Sequence, residues 1–316
     1  MISRRLLLQS ATAAMLVPAL GACKSRPNSL RAGYVKVLVA LPFMFAHRQG
    51  LFQQAGLQVD VTEFGNSNDA ATAGVTRAVD FIGAGATNAC LDAMTAANST
   101  LTLFTMNDYV RRPNLQSTDF LLSLAQFKTI ESLRGQPVAF FPGSFGKMFA
   151  RLILPTLGLR VEDVQYVEMQ PPQWLAALKS GAVKAVTALE PVASKIMASM
   201  KVNVLVDGYY ASVMQRVPAS GSWFLKGHLE RATEQKIHDS MMEAVRILSS
   251  DRPRAVAAIQ ELFSLEKAVA EQVRMPEWRS STNADGRAAL NRFGQLLAAR
   301  GGIQRPPPPN GSWIWA

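Results

Sequence analysis

The chain has 316 residues, of which 48% are hydrophobic; this suffices for one large domain or two ordinary ones and excludes wholesale disorder. The net charge of +10 falls to +8 when Arg4 and Arg5 of the N-terminal segment are left out. A basic chain favours anionic solutes or acidic lipid headgroups. Nucleic-acid binding is not expected, because no run of interleaved basic and aromatic residues occurs. The histidines and cysteines lack the spacing of metal ligands, so we predict no metal site. Neither a complete dinucleotide-binding nor a complete phosphate-binding glycine motif occurs, so we predict no cofactor.

Residues 1–22 have the layout of a secretory signal, with a basic start and an apolar run too short to span a membrane. The run ends in Leu20-Gly21-Ala22-Cys23, which resembles a bacterial lipobox. This resemblance implies a mature protein that begins at Cys23, carries acyl chains there and is anchored to a bilayer through a linker over 23–30. A plain cleaved leader with an incidental cysteine is the alternative. Ser3-Arg4-Arg5 also resembles a twin-arginine signal, so the export route stays open.

From residue 31 onward the sequence alternates strand and helix patterns. Apolar and β-branched runs predict strands at 34–40, 57–64, 81–84 and 101–106. Helical patterns lie between them at 43–55, 69–78 and 87–97. Such alternation favours a mostly parallel sheet covered by helices.

The pattern restarts near residue 130 and predicts a second unit. Its strands are predicted at 137–141, 164–169, 183–189 and 202–206, and its helices at 144–157, 172–179 and 191–200. After residue 230 only helices are predicted, at 230–249, 253–263, 266–274 and 284–299. We therefore expect an α/β protein of two lobes, the first formed by 31–110 with 212–300 and the second by 111–211. Residues 301–316 form a Pro-rich tail that contains Trp313 and Trp315.

Residues 32–98 and 130–206 resemble the type II periplasmic binding proteins of ABC importers, in the group that serves sulfonates, taurine, nitrate and thiamine precursors. The order and spacing of short segments carry this resemblance: Ala32-Gly33-Tyr34, His47 to Phe52, Gly56 to Val59, Val79 to Gly83, Leu133 to Ala139, Pro142-Gly143-Ser144, and Ala176 to Gly181 with Ala188 to Pro191. Lys184 departs from the family pattern, which has an acidic residue there. The resemblance implies two hinged lobes that close over a ligand.

Ligands of open α/β sheets bind beyond the carboxyl ends of the strands, and this rule selects the candidate ligand-binding residues. Unpaired N–H groups at helix starts suit an anion or a polarised oxygen. Each candidate also has a structural interpretation, as a helix cap, a core residue or, for Glu190, a hydrogen-bond partner of the hinge backbone. The predicted set is Phe43, Thr87, Asn88, Asp108, Ser144, Phe145 and Glu190.

The resemblance implies an extracytoplasmic solute-binding lipoprotein, a monomer without enzymatic activity. It would deliver a small organic molecule or anion to the ABC permease of the inner membrane. Two alternatives stay open: an enzyme on the same fold, with thiamine-precursor or menaquinone-type chemistry, and a ligand-sensing module for a membrane partner. An enzyme would need acid, base or metal groups that converge on the cleft, and the sequence places no histidine or cysteine cluster there. The basic chain and the helix-start donors favour an anionic ligand, whereas Glu190 favours a cationic or N–H-bearing one.

Overall fold

The computed structural model describes residues 29–110, 117–280, 284–307 and 312–315, with the backbone alone at 108–110. The predicted leader, Cys23 and most of the predicted linker lie outside the described residues. No helix within the described part of the chain is both long and apolar enough to cross a membrane.

The described chain alternates strands and helices as the sequence predicts. The strands are β1 (Leu30–Val35), β2 (Val59–Phe64), β3 (Phe81–Ala86), β4 (Leu101–Val110), β5 (Asp119–Leu124), β6 (Pro137–Phe140), β7 (Gln165–Glu168), β8 (Ala185–Leu189), β9 (Val202–Asp207), β10 (Arg216–Leu225) and β11 (Glu277–Ser280). The helices are α1 (Leu41–Arg48), α2 (Leu51–Gln54), α3 (Ser67–Val75), α4 (Thr87–Ala97), α5 (Ser144–Met148), α6 (Trp174–Ser180), α7 (Val192–Ser199), α8 (Arg231–Ser250), α9 (Arg252–Phe263), α10 (Lys267–Gln272) and α11 (Ala284–Ala299).

The strands form two sheets. The first has the order β11-β4-β10-β3-β1-β2, and the second has the order β7-β6-β8-β5-β9. We call the first sheet with α1–α4 and α8–α11 the first lobe, and the second sheet with α5–α7 the second lobe. The two-sheet α/β architecture predicted from the sequence is confirmed, while the lobe boundaries at 110/111 and 211/212 remain predictions.

Each sheet is mixed, because a strand that the sequence patterns did not reveal lies inside it and runs antiparallel to both of its neighbours. β1 pairs with β2 and β3 in parallel, and β6 pairs in the same way with β7 and β8. β10 lies antiparallel between β3 and β4, and β5 lies antiparallel between β8 and β9. β10 was missed because Pro218 and Gly221 interrupt its pattern, as proline and glycine weaken strand signals.

Many predicted bounds differ from the structure by a few residues, and three of these differences have a clear structural cause. β1 ends at Val35 instead of Ala40, because 38–40 form a tight 3-10 turn that leads into α1. The single helix predicted at 43–55 breaks into α1 and α2 at Gly50, whose φ of +70° suits glycine. The helix predicted at 144–157 keeps α-helical geometry only to Met148 and continues as a π turn and a 3-10 turn.

The C-terminal residues pack against the first lobe. Leu103 of β4 donates its N–H to the Trp313 carbonyl, and Trp315 donates its N–H to the Leu103 carbonyl, both at 2.9 Å. The indole of Trp313 is fully buried and stacks on Trp223. Part of the predicted tail is therefore an edge segment of the first sheet.

Candidate functional site

A cavity of about 420 Å³ lies between the two lobes, and residues that follow strands of both sheets line it. This volume falls within the range of small-molecule pockets. The first lobe contributes the ends of β1, β2 and β3, and the second lobe contributes residues that follow β6, β7 and β8. Phe263 and Leu265, at the end of α9 and just after it, complete the wall. The carboxyl ends of the parallel strands of both sheets therefore meet at one site, as the strand-end rule requires.

Apolar side chains form most of the cavity wall. Aromatic rings come from both lobes, and prolines rigidify the loops between them. The apolar lining side chains include Val35, Val37, Phe64, Phe141, Pro142, Phe145, Pro171, Leu175, Pro191, Ile196 and Phe263. The ring centroids of Phe141 and Phe145 lie 5.2 Å apart in an edge-to-face arrangement. Such a wall suits the hydrocarbon or aromatic part of a ligand.

Among the described residues, three charged side chains line the cavity: Lys36 directly after β1, Lys195 in α7, and Glu63 near the end of β2. Glu63 accepts a hydrogen bond from the Tyr34 hydroxyl at 3.2 Å. Neither lysine ammonium has an ion pair or a hydrogen bond with any described residue, and both side chains are exposed to solvent. The cavity therefore offers two unpaired cations, one from each lobe.

Neutral polar groups at the ends of β2 and β3 are held in place by helix α3. Asn66 caps α3 by accepting the Asp69 N–H through its side chain at 3.0 Å. The Ser67 hydroxyl accepts the Ala86 N–H at 3.0 Å and so ties the end of β3 to the start of α3. These contacts fix the position of the first-lobe wall before any ligand enters.

Of the seven predicted ligand-binding residues, Phe145 lines the cavity. Phe43 does not: its side chain is buried, and its ring packs against Tyr34, Phe52 and Phe81. Gly83 lies directly against this ring, since a Cβ there would come within 2.4 Å of it. Phe43 is thus a core residue of the first lobe and not part of the cleft wall. Core packing was the structural alternative that the sequence left open for it.

Thr87, Asn88 and Ser144 lie next to the cavity but direct their polar groups to other protein groups. The Thr87 hydroxyl donates to the Pro218 carbonyl at 2.7 Å. The Asn88 amide donates to the Ser144 carbonyl at 2.8 Å, from the first lobe to the second. None of the three is among the residues that line the cavity.

Glu190 caps helix α7 and does not reach the main cavity. Its two oxygens accept the Ser194 N–H at 3.1 Å and the Ser194 hydroxyl at 2.8 Å, and Oε1 also accepts the Arg274 N–H at 3.2 Å. Burial raises the pKa of the Glu190 carboxyl, and the bonds from Ser194 and Arg274 oppose that shift. The backbone of Asp108, the remaining candidate, pairs with Glu277 in the first sheet, and its side chain lies outside the described part.

None of the polar residues that line the described cavity was among the seven predicted ligand-binding residues. Lys36, Asn66 and Gln170 closely follow β1, β2 and β7, so the strand-end rule applies to all three. The predicted strands that precede Asn66 and Gln170 ended at 64 and 169, close to the observed ends, so these two residues could have been selected from the sequence. Lys36 was lost because the predicted first strand ran on to Ala40. Lys195 lies within α7, and no sequence signal marks it.

The lining residues of the described cavity include no histidine, cysteine or aspartate. Cys90 is free and fully buried in α4, where burial raises the pKa of its thiol. Among the described residues no group of histidine, cysteine and carboxylate side chains could hold a metal ion.

Known structures with the same arrangement include binding proteins and a desulfurization enzyme. The chain is similar to the alkanesulfonate-binding protein SsuA of Xanthomonas axonopodis pv. citri bound to MOPS, with a TM-score of 0.74, 18% identity, and coverage of 92% of this chain and 99% of that one. It is similar to the periplasmic aliphatic sulphonate binding protein SsuA of Escherichia coli, with a TM-score of 0.67, 20% identity and coverage of 89% and 96%. It is also similar to the desulfurization enzyme DSZB, with a TM-score of 0.66, 17% identity and coverage of 90% and 96%. No curated protein matches the sequence.

The two mixed sheets with a cleft between them are the fold of the type II periplasmic binding proteins. A sequence model of the NMT1-like family matches residues 24–262, which is most of the chain, and the protein belongs to that family. The family resemblance predicted from the sequence is thereby confirmed.

Proposed function

We propose that this protein captures a small organic molecule outside the cytoplasm and delivers it to an ABC importer. The observation that carries the proposal is the cavity of about 420 Å³ whose walls come from strand ends of both lobes. Because both lobes contribute walls to the site, a bound ligand favours the closed arrangement of the lobes. A transporter partner can recognise this closed arrangement. The two SsuA neighbours, described as sulfonate-binding proteins, support this function over the alternatives.

The side chains that line the cavity support a ligand that is an organic anion with an apolar part. Apolar side chains dominate the lining, whereas Lys36 and Lys195 are cations without a partner among the described residues. Glu63 is the one carboxylate among the described lining residues, and the Tyr34 hydroxyl already binds it. A ligand with one acidic group beside a hydrocarbon or aromatic part would satisfy both kinds of wall.

The same cavity argues against the enzymatic alternative. DSZB shares the fold, and one of its structures is a cysteine-to-serine mutant in complex with biphenyl-2-sulfinic acid. In this chain Cys90 is buried outside the cavity, and no described histidine lines it, so a nucleophile and its base do not converge on the cleft. We therefore favour a binding protein that performs no chemistry.

A thermal-shift screen tests the proposed function, because a ligand that binds the folded state raises the melting temperature. The panel contains MOPS, alkyl and aryl sulfonates, aromatic carboxylates, nitrate, amino acids and pyrimidines. We expect a concentration-dependent increase with at least one organic anion that has an apolar part. Stabilisation only by cationic or purely polar solutes would contradict the proposed ligand chemistry.

Replacing Lys195 by glutamine should weaken binding of the anion found in that screen by about 3- to 30-fold. A hydrogen bond to a charged group is worth ~1.5–3 kcal/mol, and solvent screening reduces this value at an exposed ammonium. Isothermal titration calorimetry at two salt concentrations measures the effect, which should shrink at high salt. Lys201→Gln is the matched control, since Lys201 is exposed in the same lobe but does not line the cavity. Equal affinities of the two variants would place the anion elsewhere.

We also propose that Cys23 carries the lipid anchor, as the Leu20-Gly21-Ala22-Cys23 sequence indicates. Cys23→Ser removes the thiol that would accept the lipid, so the variant should move from the membrane fraction to the soluble fraction. Immunoblots of fractionated cells measure the distribution, with Cys90→Ser as the matched cysteine control. Retention of Cys23→Ser in membranes would show that the protein is held there by other means.

A further inference from the structure

Three hydrogen bonds converge on Ser144, at the start of α5, and all three come from the first lobe. The Ser144 N–H donates to Asn68 Oδ1 at 2.9 Å, and the Ser144 hydroxyl accepts from Asn68 Nδ2 at 2.6 Å. The Ser144 carbonyl accepts from Asn88 Nδ2 at 2.8 Å. Asn68 belongs to α3 and Asn88 to α4, so two helices of one lobe hold one residue of the other.

Neither asparagine side chain has a hydrogen-bond partner in its own lobe among the described residues. Both bonds of the Asn68 side chain reach Ser144, and Asn88 Oδ1 accepts no hydrogen bond from any described group although Asn88 is fully buried. Burial of an amide without partners is unfavourable. Among the described residues, the hydrogen bonds that these two side chains make are therefore formed only when the lobes are in contact.

The contact between Asn68 and the segment Gly143–Ser144 leaves no room for a larger side chain at position 143. Gly143, just before Ser144, has a φ of +77°, and a Cβ at that position would approach Asn68 Oδ1 to 2.5 Å. The residues that bond are also chain neighbours of the cavity wall: Ser67 precedes Asn68, and Phe145 follows Ser144. Separation of the lobes would break the three bonds and move these walls apart.

We propose that Asn68, Asn88 and Ser144 form a latch that holds the two lobes closed over the cavity. They are positioning residues, because they act on the ligand only through the closure of the cleft. The role of the latch in ligand capture rests on the proposed function, but its effect on lobe closure does not. The experiment below measures lobe closure without a ligand. Failure of the latch and failure of the proposed function can therefore be distinguished.

The test measures the distance between the lobes by double electron–electron resonance in the full chain. Spin labels are attached to cysteines introduced at the exposed residues Gln53 and Lys179, one in each lobe, in a Cys23→Ser background. Cys90 is fully buried and stays unlabelled. Asn68→Leu removes two bonds and should raise the ratio of open to closed molecules about 5- to 100-fold.

Two variants on the same helix serve as controls. Asn68→Asp keeps an acceptor for the Ser144 N–H and for its hydroxyl hydrogen, so it should retain the wild-type distances. Thr72→Ala changes an exposed side chain of α3 and should also leave them unchanged. Circular dichroism confirms that each variant is folded. If Asn68→Leu does not fold, Ser144→Ala, which removes the hydroxyl bond alone, should raise the ratio about 2- to 10-fold.

A wild-type distance distribution in a folded Asn68→Leu or Ser144→Ala variant would overturn the latch. An equal opening in Asn68→Leu and Thr72→Ala would also overturn it, since the effect would then follow from a general weakening of α3.

Discussion

Replacing Trp315 by alanine should lower the free energy of unfolding by about 3–5 kcal/mol and the melting temperature by roughly 5–15 °C. The side chain is buried, although it lies next to the end of the chain. Its Nε1–H donates to Glu234 at 2.9 Å, and the Arg231 guanidinium lies 3.9 Å from the ring centroid. The His238 ring stacks on the indole with centroids 4.6 Å apart. The indole therefore joins the edge of the first sheet to helix α8.

Trp315→Phe separates ring packing from the hydrogen bond. Phenylalanine keeps the apolar contacts and the cation–π partner but leaves Glu234 without its indole donor. We expect it to lose about 1–3 kcal/mol, less than alanine does. Val204→Ala, at a side chain that is 46% exposed in β9, should change stability by less than about 0.5 kcal/mol. Thermal melts that leave Trp315→Ala within a degree of the wild type would show that the tail does not stabilise the protein.

Asp119→Asn should stabilise the protein at pH 8 and leave its stability nearly unchanged at pH 4. The Asp119 carboxyl, at the start of β5, is buried and accepts the Tyr210 N–H at 2.9 Å. Burial raises the pKa of Asp119 to about 7, the Tyr210 and Tyr209 backbone bonds oppose this shift, and the charge of Asp207 adds to it. The asparagine side chain keeps the acceptor for Tyr210 without the charge.

The direction of the pH effect follows from proton binding. An aspartate in the unfolded chain titrates near 3.9, so between about pH 4 and pH 7 the folded protein holds one proton more than the unfolded protein. The free energy of unfolding therefore falls as pH rises through this window, by about 4 kcal/mol in total. Asp119→Asn should remove this loss and be the more stable protein at pH 8 by a few kcal/mol.

Urea denaturation at intervals from pH 4 to pH 8 measures the difference between the two proteins. Glu190, whose pKa is also raised, is present in both and cancels in the comparison. Asp207→Asn removes the charge that adds to the shift in the pKa of Asp119, together with its pairing to Arg274 at 2.8 Å, so it should reduce the fall in stability only in part. Parallel pH profiles of the wild type and Asp119→Asn would contradict the raised pKa of Asp119.

Local sequence patterns predicted the elements whose signals lie within a few residues. The predicted helix at 87–97 has the bounds of α4, and Ser144 begins a helix as predicted. Helical periodicity and caps are properties of neighbouring residues, so they are readable without a fold. The restart of the strand–helix pattern near residue 130 likewise indicated the second sheet before its pairing was known.

The end of β1 shows where local reasoning failed. The run from Tyr34 to Ala40 is rich in valine, which favours strands, but the chain turns after Val35. Leu38 is buried in the first lobe, and the Val39 carbonyl accepts the Trp278 indole N–H at 3.2 Å across 239 positions of sequence. Packing against a distant strand therefore overrode local propensity and placed Lys36 at the cavity.

The sequence by itself determined the two α/β blocks, the helices between the strands and the family resemblance, because each depends on short-range patterns. Only the tertiary structure decided which strand ends face the cavity, which strands run antiparallel and which partners Ser144 meets. The Ser222 hydroxyl of β10 donates to the Gly83 carbonyl of β3 across 139 residues, and Asn68 meets Ser144 across 76. Such contacts depend on how the whole chain packs, since no residue near Ser144 in sequence specifies that Asn68 will lie beside it.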